Sequence, residues 1–207
     1  MSGQHNTGAT YAISLSGSTS ITAGTGVTLE SLNDNTGTIA LLSSGGIDGG
    51  SGTVLMRAAN YAFGGADRTI TTTGVLTIEP DADENSFASS FDNQYLNPVS
   101  VTGLTLGKSS NASAITLSRA ISLSGPVSIY GGSIDVNANI TANSGNILLD
   151  ADTGSTLNQS STGILLDDVI TIETVTSGNL TLIGRSGDTG SGFDLSLIHI
   201  SEPTRLE

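Results

Sequence analysis

The chain has no cysteine and no tryptophan, and only 4% of it is aromatic. Without cysteine there are no disulfides and no thiolate metal sites. Without large rings, a sandwich or a propeller would lack the residues that usually anchor its core. A narrow stack of strands filled by Val, Ile and Leu does not need them. Charge is scarce too, at 12%, and mostly of one sign: 19 acidic against 6 basic residues give a formal net charge of −13. The basic residues Arg57, Arg68, Lys108, Arg119, Arg185 and Arg205 are scattered. Nucleic acid and anionic membranes select clustered Lys and Arg, so neither is an expected partner. The acidic surface instead keeps a polar chain in solution and collects cations. No run is long and apolar enough to span a membrane. The opening Met1-Ser2-Gly3-Gln4-His5-Asn6 lacks the basic-then-apolar order of a secretion signal. No window carries the 3.6-residue stripe of an amphipathic helix.

What is present is repetition. A Gly, at most one spacer, then two aliphatics flanking a third residue recurs as Gly103-Leu104-Thr105-Leu106, Gly125-Pro126-Val127-Ser128-Ile129, Gly145-Asn146-Ile147-Leu148-Leu149, Gly163-Ile164-Leu165-Leu166 and Gly178-Asn179-Leu180-Thr181-Leu182. The interval between these glycines shrinks steadily, from the step Gly103 to Gly125 down to the step Gly163 to Gly178. Looser copies start at Gly26, Gly37, Gly52 and Gly74. A period of roughly 20 residues, with aliphatics two apart, marks a stacked β-solenoid. The mean hydropathy of +0.11 argues against disorder.

The expected fold is therefore all-β, a parallel β-helix (a β-solenoid) with about 15–22 residues per coil. Each coil is expected to hold three short strands. Ile115/Leu117, Ile121/Leu123 and Val127/Ile129 make one coil, and Ile134/Val136, Ile140 and Ile147/Leu149 repeat it in the next. Inner aliphatics stack on their equivalents while Thr and Ser between them point outward. With coils about 4.8 Å apart, about nine would form a rod on the order of 40 Å long. The shrinking glycine interval predicts a thinner coil near the end.

Residues 1–10 read as a frayed start and 11–195 as the repeat. Asn33-Asp34-Asn35 and the Gly-rich 45–52 are turn chemistry. Residues 79–98 interrupt the pattern and hold Asp81, Asp83, Glu84, Phe87, Phe91 and Tyr95. They are expected to leave the stack as an excursion loop, laying aromatics back on its surface either for binding or as cover. From Ser196 the chain changes character. Leu197-Ile198-His199-Ile200-Ser201-Glu202-Pro203-Thr204-Arg205-Leu206-Glu207 shares neither composition nor repeat, and resembles translated sequencing-adapter read-through. Residues 196–207 are thus expected to be non-native and the chain to be an internal piece of a longer protein. The repeat shows no capping helix at either end, as expected of a fragment.

Ile147-Leu148-Leu149-Asp150 and Ile164-Leu165-Leu166-Asp167 are the same four residues one period apart. Stacking would bring Asp150 close to Asp167, with Asp152 and Asp168 nearby. A bound calcium would relieve the repulsion of like charges one rung apart. A weak calcium site at Asp150, Asp152, Asp167 and Asp168 is the one cofactor expectation; solvated carboxylates splayed at a turn are its alternative. The same aspartates invite a carbohydrate-cleaving reading, since such chemistry uses paired carboxylates. Pectin-hydrolysing β-helix enzymes add a His and a basic pair in the cleft. Here the histidines are His5, in the frayed start, and His199, in the tail. No Arg or Lys stands near the aspartates within the repeat, so catalysis is not expected.

The Gly-rich segments 45–52 and 184–192 lack the nine-residue recurrence of calcium rolls and the strand-to-helix setting of a phosphate loop, so they read as turns. Asn111, Asn139, Asn158 and Asn179 head Asn-x-Ser/Thr triplets, a glycosylation pattern that such a composition produces by chance. Thr71-Thr72-Thr73 is too short for the threonine ladder of an ice-binding solenoid.

The segment Thr102-Gly103-Leu104-Thr105-Leu106-Gly107-Lys108, continuing through Ile115-Thr116-Leu117 to Gly125-Pro126-Val127-Ser128-Ile129-Tyr130-Gly131-Gly132, resembles the repeats of large bacterial β-strand-repeat surface proteins, which are similar to filamentous-haemagglutinin-type adhesins. The resemblance runs from about Tyr11 to Asp194. It implies secretion to the cell surface, a long right-handed β-helical stalk, and a role in adhesion or biofilm. Implied partners are neighbouring repeats of the same parent chain, surface glycans and other cells. The family's secretion-signal domain has no counterpart in these residues, so export follows from the fragment reading. A structural stalk and interaction segment is the expected function, and a carbohydrate-binding or carbohydrate-cleaving solenoid the alternative.

Overall fold

Aliphatic pairs set between Gly, Ser, Thr and Asn can only make short strands, and the chain does little else. The computed structural model describes residues 2–3, 11–32, 36–42, 46–64, 67–151, 163–185 and 195–201. Among them there are strands and turns but no helix. β1 (Ser2–Gly3) is followed by seven triplets. The first two are β2 (Ile13–Leu15), β3 (Ile21–Thr22), β4 (Val27–Ser31) and β5 (Thr38–Leu41), β6 (Ile47–Asp48), β7 (Val54–Arg57). The next two are β8 (Asn60–Phe63), β9 (Arg68–Thr71), β10 (Val75–Glu79) and β11 (Phe91–Asp92), β12 (Leu96–Val99), β13 (Gly103–Leu106). Then come β14 (Ala114–Leu117), β15 (Ile121–Leu123), β16 (Val127–Tyr130) and β17 (Ser133–Val136), β18 (Ile140–Ser144), β19 (Ile147–Ala151). The last is β20 (Ile164–Leu166), β21 (Ile172–Ser177), β22 (Asn179–Arg185), and β23 (Leu195–Ser201) closes the described chain.

Each strand pairs with the strand three places away. Third strands form one nine-stranded sheet, in the order β1-β4-β7-β10-β13-β16-β19-β22-β23. First strands form the sheets β2-β5-β8 and β11-β14-β17-β20; second strands form β3-β6-β9-β12 and β15-β18-β21. The pairs are parallel except β22 with β23, which is antiparallel. This all-β architecture of parallel sheets is compatible with a parallel β-helix.

The core follows from register. Val27, Val54, Leu76, Leu104, Val127 and Ile147 lie in one column of the large sheet. Leu29, Met56, Ile78, Leu106, Ile129 and Leu149 lie in a second. All twelve are at most 7% exposed. Full burial of one such side chain contributes about 1.5–3 kcal/mol, so the two columns are a large part of the stabilisation, beside the equally buried Ile39, Ile70, Ile115 and Ile140 of the smaller sheets. Gly125 and Gly145 stand just before β16 and β19, where the chain turns a corner against the neighbouring rung. A Cβ at Gly125 would come within 2.6 Å of the Thr102 carbonyl oxygen, and Gly145 combines a φ of +110° with 2.9 Å to the Pro126 nitrogen. Only glycine fits.

Four expectations are corrected. Rungs are longer and more variable than the glycine spacing suggests. Val127 pairs with Ile147, a step of the expected length, but Val27 pairs with Val54 and Ile147 with Leu180, both wider steps. The chain does not thin toward its end. Gly163 opens β20, a first strand, so the short glycine intervals compare strands of different sheets. Among the described residues there are seven triplets, against about nine coils expected. Finally, residues 79–98 do not simply leave the stack. They supply β11, which pairs with β14, and β12, which pairs with β9, and Phe87, Phe91 and Leu96 are at most 4% exposed. Burying two large rings and a leucine outweighs keeping this segment solvated.

Candidate functional site

The aspartates do not come together as expected. Asp150 lies on β19 in the large sheet, with Tyr130 and Ile183 as its register neighbours. Asp167 follows β20 in a different sheet, and its amide donates to the Val136 carbonyl oxygen at 3.0 Å. Its Oδ1 accepts from the Asp168 amide at 2.8 Å, and both side chains are exposed. Asp152 lies outside the described residues. The rung-on-rung stacking that motivated a calcium site is therefore not formed between Asp150 and Asp167. Among the described residues no group of three His, Cys, Asp or Glu side chains is placed to hold a metal ion. His5 lies outside the described residues, and His199 falls on β23.

Two surface arrangements emerge only from the register. Glu30, Arg57 and Glu79 occupy one column on β4, β7 and β10. Arg57 Nε donates to Glu79 Oε1 at 2.5 Å, and Arg57 Nη1 lies 3.6 Å from Glu30 Oε1. The Glu79 hydrogen bond, together with both negative charges, raises the Arg57 pKa above its ordinary value. Opposite charges directly across neighbouring strands each add a modest stabilisation, and here three rungs are tied by one cation. Asp67 and Arg119 form the second arrangement, a two-pronged pair that includes Nη2 to Oδ2 at 2.9 Å. The Arg119 hydrogen bond lowers the Asp67 pKa.

The aromatics gather where the first-strand sheets break between β8 and β11. Tyr61, Phe63, Phe87 and Phe91 pack with ring centroids 5.6–6.3 Å apart, mixing stacked and edge-on contacts. The Tyr61 hydroxyl lies 2.8 Å from the carbonyl oxygens of both Met56 and Glu79 and shares its proton between them. Withdrawal from water, with the charge of Glu79 adding to it, pushes Tyr61 well above the ordinary tyrosine value. The cleft between these rings measures about 30 Å³. That is room for water and not for a sugar ring.

A more open trough of about 140 Å³ crosses β3, β6 and β9 and is lined by Ser20, Thr22, Gly46, Asp48, Thr69 and Thr71. It exists because Gly46 puts no side chain between Ser20 and Thr69. A Cβ there would approach the Thr69 carbonyl oxygen to 3.1 Å. The walls offer hydroxyls and the Asp48 carboxylate, whose Oδ1 already accepts from the Gly50 amide at 2.9 Å. Such a set can exchange hydrogen bonds with the hydroxyls of a polyol. Periodicity could not reveal it, because the residues are far apart in sequence and each is an ordinary turn or strand residue.

Arg68 is the most buried cation among the described residues, 1% exposed. Its Nε donates to Leu41 O at 2.5 Å and Nη2 to Gly64 O at 2.9 Å, while Nη1 has no hydrogen-bond partner. These bonds tie the ends of β5 and β8 to the start of β9.

Comparison with known proteins finds no matching family model, no matching curated protein and no matching solved structure.

Proposed function

We propose that the chain is a segment of a right-handed parallel β-solenoid that serves as structural stalk and interaction surface of a large exported bacterial adhesin-like protein. The observation that supports this most is the large sheet, whose two aliphatic columns run in register through successive third strands. Such a stack adds stability rung by rung and has no intrinsic length limit. The Glu30–Arg57–Glu79 column and the glycine corners fit the same reading, since both lock rungs without forming a pocket. In this reading the columns bear load, the outward residues meet neighbouring repeats, glycans or other cells, and residues 196–207 are read-through rather than native sequence. Antibodies raised against the purified chain test it. They should label intact producing bacteria, and labelling only after permeabilisation would overturn the exported reading.

The Gly46 trough favours a second reading, glycan binding. A panel of polysaccharides applied to the immobilised chain separates the two: saturable binding of one glycan, abolished by Asp48→Ala, supports binding at the trough over a passive stalk.

A further inference from the structure

The fourth triplet is held differently from the others. Among the described residues, every step from the first triplet to the last carries all three sheets, except the two steps that flank this one. β11 pairs ahead with β14 and has no strand behind it, where β8 would lie. β12 pairs back with β9 and has no strand ahead of it, where β15 would lie. Each therefore keeps one ladder where an inner strand has two. β11 is only two residues long, and Pro98 on β12 has no amide hydrogen to offer. Segments held by fewer backbone bonds open ahead of the whole.

The corner between β11 and β12, Asn93-Gln94-Tyr95, touches both neighbouring coils. Tyr95 O accepts from the Arg68 amide behind it at 2.8 Å, and Asn93 Nδ2 donates to Arg119 O ahead of it at 2.9 Å. Asp67 stands at the same corner one coil back, just before β9, and Arg119 one coil ahead, just before β15. Their two-pronged ion pair thus reaches from the third triplet to the fifth, across the fourth. Among the described residues the other ion pairs, Glu30–Arg57 and Arg57–Glu79, join adjacent rungs of the large sheet. Asp67 is 55% and Arg119 29% exposed, so water and salt reach the pair. We propose that Asp67–Arg119 is a releasable strap over this corner, and that residues 91–99 swing out as one unit when it lets go. The ends of the unit stay anchored, because Phe87 N donates to Asn111 Oδ1 at 3.2 Å and Thr102 N to Gly74 O at 2.9 Å. Opening uncovers Phe91 and Leu96, 4% and 1% exposed when closed, while the two aliphatic columns of the large sheet stay packed. The coil can therefore open and close again without the stack unfolding.

Native-state hydrogen exchange of the full chain, read by mass spectrometry at low urea, tests it. Residues 91–99 should be protected at least about tenfold less than β7 and β16, with a weaker dependence on urea. Asp67→Asn and Arg119→Gln should each speed exchange of 91–99 about two- to fivefold, and the double variant no more than either alone. Raised salt should speed it in the parent and not in the double variant. Ile147→Val, in the core of the large sheet, should speed β7 and β16 about two- to tenfold and leave 91–99 unaltered. Equal protection of 91–99 and β16, a speeding of both by Ile147→Val, or no change on removing the ion pair would overturn the strap.

Discussion

The side chain of Asn93 pairs with the backbone of Arg119 in both directions: Nδ2 donates to Arg119 O at 2.9 Å, and Arg119 N donates to Oδ1 at 2.8 Å. The amide reproduces a pair of strand-ladder hydrogen bonds at a corner, where no ladder runs. Asn111 does the same one corner away, donating from Nδ2 to Tyr130 O at 2.8 Å and accepting from Phe87 N at 3.2 Å. Both side chains are at most 2% exposed, so water cannot replace what they supply. Corners between rungs are thus held by side chains chosen for two-sided hydrogen bonding.

Asn93→Leu should cost about 1 kcal/mol, because it leaves the half-buried backbone donor and acceptor of Arg119 without the side chain that pairs them. Asn93→Asp should cost at least as much at neutral pH, since a carboxylate would face the Arg119 carbonyl oxygen. Urea denaturation of the two variants beside the parent chain measures this; unchanged midpoints would show that the corner does not depend on the pair.

Asn111 heads a glycosylation triplet, yet its side chain is 0% exposed and hydrogen-bonded on both sides. Asn139 and Asn179 are exposed. After expression in a glycosylating host, peptide mass spectrometry of the folded chain should find Asn111 bare, whatever glycan the other triplets, Asn139 and Asn179 among them, carry. A glycan on Asn111 in folded material would mean that this corner opens.

The glycines divide by what surrounds them. Gly125→Ala brings a Cβ 2.6 Å from a backbone oxygen that cannot move aside, whereas at Gly24 nothing lies within 4 Å. Overpacking of this kind costs typically about 1–3 kcal/mol, while an unopposed surface change stays within about 0.5 kcal/mol. Thermal melts of the two alanine variants should therefore separate clearly, and similar shifts would refute close rung contact at the corner.

The same contrast shows how far the sequence could be read. The Gly-aliphatic phrase locates the large sheet well: copies at Gly26, Gly52, Gly74, Gly103, Gly125, Gly145 and Gly178 each head one of its strands, because the corner before a third strand has no room for a side chain. The phrase does not say which sheet a strand joins. Gly163 reads like Gly145 but opens β20, a strand of a different sheet, because the phrase itself carries nothing that assigns a rung. Asp150 and Asp167 looked alike for that reason and lie in different sheets. Phe87 and Phe91 looked like surface cover because the gap they fill, between β8 and β11, exists only in three dimensions. The column Glu30–Arg57–Glu79 required the register, since its members are far apart along the chain and their two spacings are unequal.

The Asp67–Arg119 pair gives a pH dependence whose sign is fixed. Asp67 has a folded-state pKa below its ordinary value because the Arg119 guanidinium hydrogen-bonds the ionised carboxylate. A depressed acid contributes stability that is fully present above the unfolded carboxylate pKa, about 3.9. That contribution is lost as pH falls through the lower folded value, where the carboxylate takes up a proton and the pair dissolves. Tyr61 works at the other extreme. Its folded pKa is raised, mainly by burial, so its contribution is present below the unfolded tyrosine value of about 10 and is lost as pH climbs above it. Stability curves from pH 2.5 to 11 for the parent, Asp67→Asn and Tyr61→Phe resolve both. Asp67→Asn should differ from the parent at neutral pH and converge with it in acid. Tyr61→Phe should lose the two carbonyl contacts yet flatten the alkaline decline. If the Asp67→Asn curve ran parallel to the parent across the acid range, the pair would be a surface contact without linkage to folding.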